Sequence, residues 1–307
     1  MTATNRPHTS PQPSESSTVD ITRLDHPVSP ETFLAHYANR RPLIIRVPDL
    51  ALLGWRTHLW SNEYLAYKAG THEVRVLRRS QGNEYTAETS DYVPMLFRDF
   101  IREVMANPRG NPGFYLNLQT DKILEPPLLQ LLGDFTIPPY FKDFLLRCIV
   151  LWMGNSPDRL VTVLHHDFND NLYVVAEGEK HFSIFPPDQA LNLYPRGQIQ
   201  KIERTGRIVY APGETRPHLS AVNLLDPDWE RFPRFREALA MRTDFIVKSG
   251  EMLFLPAGWF HQVSSAGRHI ALSFFAEIPS ESGLNHLTRL LEDATLKRQP
   301  ERTTRLP

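Results

Sequence analysis

Short apolar segments separated by turn-forming residues fill the chain from residue 111 onward and constrain its fold more than any other feature. Glycine, proline or asparagine stands between one segment and the next. Many short strands with turns between them are typical of a β-sandwich or barrel. The sequence therefore predicts a mainly β fold for residues 111–280. The segments are GFYLNLQ, CIVLWMG, LVTVLHHD, NLYVVAEG, KHFSIFPP, DFIVKSG, EMLFLPAG, HQVSSAG and HIALSFFAEIP.

The rest of the chain divides into three parts. Residues 19–110 mix helix patterns (SPETFLAHYA, SNEYLAYKAG, PMLFRDFIREVMAN) with strand patterns (RPLIIRV, HEVRVLRR), and we expect them to pack on the barrel. Residues 1–18 are rich in Ser, Thr and Pro, which predicts a disordered tail. Residues 281–307 are predicted to form a C-terminal amphipathic helix and tail, and that helix is a possible homodimer contact.

Composition excludes several classes of protein. A formal net charge of −1 predicts no general attraction to nucleic acid or to an anionic membrane. The N-terminus lacks the apolar core of a secretory signal and no run is long enough for a membrane span, so we expect a cytoplasmic protein. The single cysteine, Cys148, lies in the apolar setting LLRCIVLW, which indicates a core thiol rather than a nucleophile.

The stretch LHHDFNDN, residues 164–171, places histidines and acids inside a strand pattern. On a strand, residues i and i+2 share a face, so His165 and Asp167 project together while His166 points away. In LPAGWFHQV, His261 offers a third ligand. Two histidines and one carboxylate are the donor set of non-heme Fe(II) oxygenases. Taken alone, the His-x-Asp tripeptide fits a hydrogen-bonded structural pair better.

Around these residues the chain resembles the cupin-like branch of the JmjC family of Fe(II)- and 2-oxoglutarate-dependent oxygenases. TVLHHDFNDNLYVVAEGEKHFSIFPPDQ has the family's spacing of Thr, His-x-Asp, Asn, Gly-x-Lys and Phe-Pro-Pro, and GEMLFLPAGWFHQV matches its second metal segment. DPDWERFPRF and FYLNLQ resemble the branch of asparaginyl hydroxylases that act on hypoxia-inducible factor. The resemblance implies a double-stranded β-helix (cupin or jelly roll) with flanking α-helices. It also implies Fe(II) on His165, Asp167 and His261, with dioxygen at an open site.

Lys180 is the most informative residue beyond these three. It shares a strand face with Phe182 and Ile184, and a buried ammonium is costly unless an anion pairs with it. The resemblance implies that it holds the distal carboxylate of 2-oxoglutarate. Further positions that match the family's cosubstrate and iron surroundings are Thr162, Tyr115, Asn171, Asn117 and Ser273, the last in place of an asparagine.

The substrate is not specified by these motifs. We expect a peptide or protein side chain, or a carrier-presented group, approaching over the long 196–236 connection. His218 and Leu219 replace an Arg-Gln pair of peptide-reading relatives, so the target differs from theirs. Alternatives are a small natural-product or amino-acid substrate, a demethylase, a different cupin metalloenzyme, or a non-catalytic metal-binding cupin. The roles of His181, His218 and His269 stay open, and Trp152, Trp259, Phe274 and Phe275 are interpreted as core.

Overall fold

β-Strands dominate the described part of the chain, residues 21–38, 41–47, 49–79, 84–85, 90–117 and 123–277, in this computed structural model. The predicted mainly β fold is confirmed. The proposed tail at residues 1–18 and the C-terminal helix, with its suggested dimer contact, lie outside the described residues. None of the helices within the described ranges is long and apolar enough to cross a membrane.

The first part of the chain alternates strands with short helices. Ser29 and Ser61 cap the first two α-helices, since their hydroxyls accept bonds from the backbone N–H of Thr32 and Tyr64. The elements are β1 (Thr22–Leu24), α1 (Pro30–His36), β2 (Leu43–Arg46), α2 (Asn62–Ala69), β3 (Glu73–Arg79), β4 (Glu84–Tyr85), β5 (Ser90–Leu96), α3 (Phe97–Phe100) and β6 (Phe114–Asn117).

The helix predicted over PMLFRDFIREVMAN begins later than its pattern suggests. Pro94 lies within β5, opposite Arg75 of β3, and the helix starts only at Phe97. β5 ends the strand order of the sheet, and an edge strand tolerates a proline because no ladder bond is lost there. After Phe100 the backbone widens into a π-helical turn, Ile101–Met105.

The second part of the chain supplies the remaining strands. Two pairs of segments predicted as separate strands form single long ones, β7 and β15. The elements are β7 (Leu145–Thr162), β8 (His165–His166), β9 (Asp170–Glu177), β10 (Glu179–Phe185), β11 (Ile199–Ile202), β12 (Ile208–Tyr210), α4 (Phe235–Ala240), β13 (Thr243–Lys248), β14 (Glu251–Leu255) and β15 (Phe260–Glu277).

β15 connects two sheet layers. Its first residues, Phe260–Ser264, pair with β10, and β10 pairs on its other side with β13. Its last residues, from Ile270 to Ala276, pair with β9 in the order β1-β2-β14-β9-β15-β7-β6-β3-β5. A register shift between Ser265 and Gly267 lies between the two stretches. This is the predicted double-stranded β-helix.

Both faces of the central strands are buried. On β14, Met252 and Phe254 pack outward against the helices, while Leu253 and Leu255 pack into the barrel. Phe33 of α1 meets Phe254 edge-on, with ring centroids 4.8 Å apart. Because apolar residues pack against both faces of the strand, its register and its position between the two layers are fixed.

The 196–236 connection, expected to be a long irregular loop, contains the β11–β12 hairpin and its own apolar cluster. Its segment at residues 217–220 is hydrogen-bonded to β8 and to the residue before it. Ser220 N–H donates to the carbonyl of Leu164, and His166 N–H donates to the carbonyl of His218. The connection is therefore a fixed wall beside β8.

Candidate metal centre and adjoining cavity

The antiparallel register of β8 and β15 places two predicted metal ligands opposite each other. His165 pairs with His261, and their ring centroids are 4.3 Å apart. Asp167 follows β8 directly and reaches the same point. Its carboxylate oxygens lie 3.9 Å from Nε2 of His165 and 3.6 Å from Nε2 of His261.

Backbone carbonyls fix which nitrogen of each histidine faces the centre. Nδ1 of His165 lies 2.7 Å from the carbonyl oxygen of Val163, and Nδ1 of His261 lies 3.0 Å from that of Trp259. A carbonyl can only accept, so each Nδ1 carries a proton and each Nε2 is the nitrogen turned toward the centre. Burial, followed by the neighbouring His165, lowers the pKa of His261 well below its usual value, which favours the neutral imidazole at that position.

The three side chains fit one metal ion. Their ligand atoms all lie within 4.8 Å of one another. Two ligands of one ion are separated by at most about 4.2 Å, twice a metal–nitrogen bond of about 2.1 Å, and both nitrogen–oxygen distances are shorter than this limit. The amide of Asn171 donates to Oδ2 of Asp167 at 3.4 Å and steadies the carboxylate.

The two metal segments are held together by the turn at residues 256–259. Gly258 N–H donates to the carbonyl of Asp167 at 3.0 Å, and Ala257 N–H donates to the buried carboxylate of Asp170 at 2.9 Å. Gly258 has a positive φ of 83°, and a Cβ there would collide with the carbonyl oxygen of Gly206. Glycine is therefore required where the β11–β12 hairpin meets this turn.

A cavity opens from the three ligands into the barrel. Of the predicted site residues, Tyr115, Thr162, Asn171 and Ser273 line it. Trp152 and Phe275, interpreted as core residues, are partly buried and also line the cavity; Trp152 packs on the inner apolar clusters, and Phe274 is buried in the core as expected. Trp259 packs, partly buried, on the inner cluster.

Lys180 lies fully inside the barrel, behind the cavity wall. Its Nζ donates to the hydroxyl of Tyr115 at 3.0 Å and to that of Ser265 at 3.1 Å. No carboxylate pairs with it among the described residues, and burial lowers its pKa to about 7. Tyr115 contacts Lys180 and also lines the cavity, so it lies between the buried ammonium group and the cavity next to the three ligands.

Two further lining hydroxyls are fixed by single bonds. Val263 N–H donates to Oγ1 of Thr162 at 2.8 Å, and the indole N–H of Trp152 donates to Oγ of Ser273 at 2.9 Å. Each hydroxyl accepts in its protein contact. Each therefore still has a proton that it can donate to a ligand in the cavity.

Asn117 does not join the cavity group. It lines a separate depression with Arg75 and Tyr92, and its amide donates to the Tyr92 hydroxyl at 3.4 Å. The resemblance placed Asn117 near cosubstrate and iron. In the structure it follows Tyr115 by two residues on the same strand and lies opposite Trp152 of β7.

The other histidines near the site lie outside the ligand set. His166 is buried and points away from the centre, with Nε2 2.7 Å from the Tyr210 hydroxyl, and burial lowers its pKa to about 4. His218 lies with its ring centroid 6.4 Å from that of His165, and burial lowers its pKa to about 4 as well. His181 pairs with Glu179 at 2.9 Å.

Cys148 is half-exposed rather than buried in the core. Burial of part of the side chain, and then the charge of Asp167, raise the pKa of its thiol. A raised pKa favours the protonated thiol, so the expectation that Cys148 is not an activated nucleophile agrees with its surroundings.

Sequence reasoning missed Ser265 and left the role of His269 open. Both are buried next to Lys180. Alternation along β15 offered a signal, because Ser265 and His269 share the parity of the ligand His261. It could not show that Lys180 of β10 reaches them.

Comparisons with known proteins agree with this geometry. The profile of the cupin-like domain matches residues 29–281. The chain is 30% identical over 274 residues to the bifunctional peptidase and (3S)-lysyl hydroxylase JMJD7 of Homo sapiens, covering 83% of each chain. It is 27% identical over 273 residues to tRNA wybutosine-synthesizing protein 5 of Danio rerio, covering 83% of this chain and 75% of that protein. Over 241 residues it is 27% identical to lysine-specific demethylase JMJ31 of Arabidopsis thaliana, covering 69% and 41%. The chain belongs to the JmjC proteins with a cupin-like domain.

Proposed function

We propose that this protein is an Fe(II)- and 2-oxoglutarate-dependent hydroxylase. The observation that carries the proposal is the combination of two imidazoles and a carboxylate at one point with a buried lysine that has no acidic partner in the described structure. The first group is the donor set of non-heme iron oxygenases. The second is a site for the carboxylate of an acid.

Each side chain has a defined task in this proposal. His165, Asp167 and His261 hold the iron, and Asn171 fixes the carboxylate ligand. Lys180 attracts the distal carboxylate of 2-oxoglutarate, and the hydroxyls of Tyr115 and Thr162 orient it from the cavity wall. The bound iron and cosubstrate supply the oxidising chemistry from dioxygen, with 2-oxoglutarate converted to succinate and carbon dioxide. The apolar walls, including Trp152 and Phe275, limit access of water.

The proposed substrate is a peptide or protein side chain, or a group presented on a carrier. Support comes from the similarity to a protein named as a lysyl hydroxylase. It also comes from the ordered wall at residues 217–220, which gives a fixed rim beside β8. A small free metabolite would gain little from such a rim.

The test measures metal content and turnover on the same protein. We expect one Fe(II) per chain and succinate release that depends on iron, 2-oxoglutarate and dioxygen. Asp167→Ala should lose both the metal and turnover because one of three ligands is gone, while its circular dichroism stays that of the wild type. Full activity in Asp167→Ala would refute the metal assignment.

The same measurements separate the alternatives. A non-catalytic cupin would bind metal and release no succinate with any substrate. A hydroxylase of small molecules would turn over free amino acids or small acids as efficiently as peptide fractions. Because one relative is named for tRNA modification, an RNA fraction belongs in the assay, and coupled turnover with RNA alone would contradict a peptide substrate.

A further inference from the structure

Lys180 belongs to a chain of hydrogen-bonded polar groups, three of them buried side chains, that continues beyond the cavity wall. Its Nζ contacts Oγ of Ser265 at 3.1 Å, and that oxygen lies 3.2 Å from Nε2 of His269. Nδ1 of His269 lies 2.9 Å from the carbonyl oxygen of Gly267. Ser265 and His269 are 3% and 0% exposed, so water cannot substitute for any missing partner.

The direction of every bond in this chain is determined. The carbonyl of Gly267 only accepts, so Nδ1 of His269 carries the proton. Burial and then the charge of Lys180 lower the pKa of His269 well below its usual value, so the ring is neutral and Nε2 is an acceptor. The hydroxyl of Ser265 must therefore donate to Nε2. Its oxygen is left to accept from Lys180, which only donates.

This arrangement fixes the orientation of the ammonium group. A lysine has three N–H donors in tetrahedral directions. Ser265 and Tyr115 accept two of them, and the described residues provide no acceptor for the third. Because the two partners lie on different strands, the direction of the third N–H is set by the protein before any ligand arrives.

Gly154 permits the close packing on which the chain depends. A Cβ at this position would come within 2.9 Å of Nε2 of His269 and of a ring carbon of Tyr115. With glycine, the two rings approach to a centroid distance of 5.7 Å. His269 and Tyr115 thus pack into the space that glycine leaves at position 154.

We propose that Ser265 and His269 are positioning residues that aim the Lys180 ammonium at the distal carboxylate of the cosubstrate. The inference rests on the proposed use of 2-oxoglutarate and adds the residues that set its affinity. Without the acceptor on His269, the Ser265 hydroxyl loses the bond that fixes its rotation, so its oxygen no longer holds the Lys180 ammonium in one orientation. Neither residue touches the ligand, so both act on binding rather than on the reaction.

The experiment measures binding directly. Full-length protein loaded with Mn(II) is titrated with 2-oxoglutarate by calorimetry, and Mn(II) affinity is measured separately. Ser265→Ala and His269→Leu should each raise the Kd for 2-oxoglutarate about tenfold, which is about 1.4 kcal/mol, with Mn(II) affinity unchanged. His269→Gln keeps an acceptor for Ser265 and should stay within about threefold of wild type. The matched control is Ser264→Ala, since Ser264 faces the outer depression beside Arg159.

Turnover adds a second readout with the Fe(II) enzyme. The KM for 2-oxoglutarate should rise in Ser265→Ala and His269→Leu while kcat at saturating cosubstrate stays that of the wild type. If His269→Leu fails to fold, Ser265→Ala decides alone, because it removes one oxygen atom. Wild-type affinity in Ser265→Ala, or equal loss in Ser264→Ala, would overturn the inference and leave the proposed function intact. Failure of the wild type to bind 2-oxoglutarate would overturn both.

Discussion

His165 and His261 depend on two backbone carbonyls as much as on their own rings. The carbonyls of Val163 and Trp259 accept from Nδ1, so the Nε2 of each ring is turned toward Asp167. A metal ion binds imidazole through a ring nitrogen that carries no proton, and this arrangement leaves Nε2 for that role. The local backbone therefore organises the donor set before binding, which lowers the cost of ordering it.

At the residue scale, Lys180 gives a sharp prediction. Lys180→Met should raise the Kd for 2-oxoglutarate at least a hundredfold, because removing one partner of a buried ion pair typically costs about 3–5 kcal/mol. Metal affinity should change less than threefold, since Lys180 contacts none of the three ligands. Calorimetric titration of the two ligands separates these effects. Equal losses for both, or none for either, would contradict the assigned role.

The residue-scale features differ in how far sequence could predict them. Strand parity predicted that His165 and Asp167 share a face and that Lys180 is buried with Phe182. It could not predict the partner of Lys180, because Ser265 lies 85 positions away and meets it only through the β10–β15 register. Such a register is decided by packing of the whole barrel rather than by local pattern.

At the element scale, turn-forming residues marked irregularities inside strands as well as the ends of strands. Gly154, Pro157 and Gly267 predicted breaks, yet β7 and β15 run through them. Pro157 falls where the β7–β15 pairing is interrupted, and the register shift next to Gly267 is opposite it. Long strands with a bulge resemble two short strands in sequence, because both need a residue that accepts unusual backbone angles.

The Gly258 turn gives the prediction at this scale. Gly258→Ala should lower the free energy of unfolding by more than about 3 kcal/mol, because strain at positive φ of about 1–2 kcal/mol is added to a collision with the carbonyl of Gly206. Metal affinity should fall about tenfold or more, since this turn joins the segments of Asp167 and His261. Denaturant unfolding and metal titration measure the two effects.

Gly267→Ala is the matched control for that substitution. Gly267 also has a positive φ, 67°, but an added Cβ there would meet no atom within 4 Å. In this variant the free energy of unfolding should fall only by the cost of the backbone strain, and metal affinity should be unchanged. If the two variants proved equally stable and bound metal equally, the hairpin contact would have no part in holding the centre.

At the scale of the whole molecule, the candidate metal centre lies between parts of the chain that are far apart in sequence. The barrel strands carry the proposed ligands, and the 196–236 connection forms the wall beside them. Arg207 of this connection lies 3.9 Å from carboxylate oxygens of both Asp170 and Glu277, so charge as well as apolar packing fixes the wall to the barrel. The sequence showed the length of this connection but not that it is an ordered structure, because its apolar residues follow neither a helix nor a strand periodicity.

The wall should contribute to substrate affinity and not to iron or cosubstrate affinity. With the substrate fraction that supports succinate release, His218→Ala and Leu219→Ala should each lower kcat/KM about tenfold. The reason is that the loss of one to three apolar or polar contacts with a substrate typically costs about 1–3 kcal/mol. Leu219 pairs with His165 through its backbone, so the alanine variant keeps that bridge. Leu225→Ala, at an exposed position of the same connection, is the control and should match the wild type. Efficient hydroxylation of a free amino acid, unchanged in both rim variants, would show instead that the substrate is a small molecule that the wall does not contact.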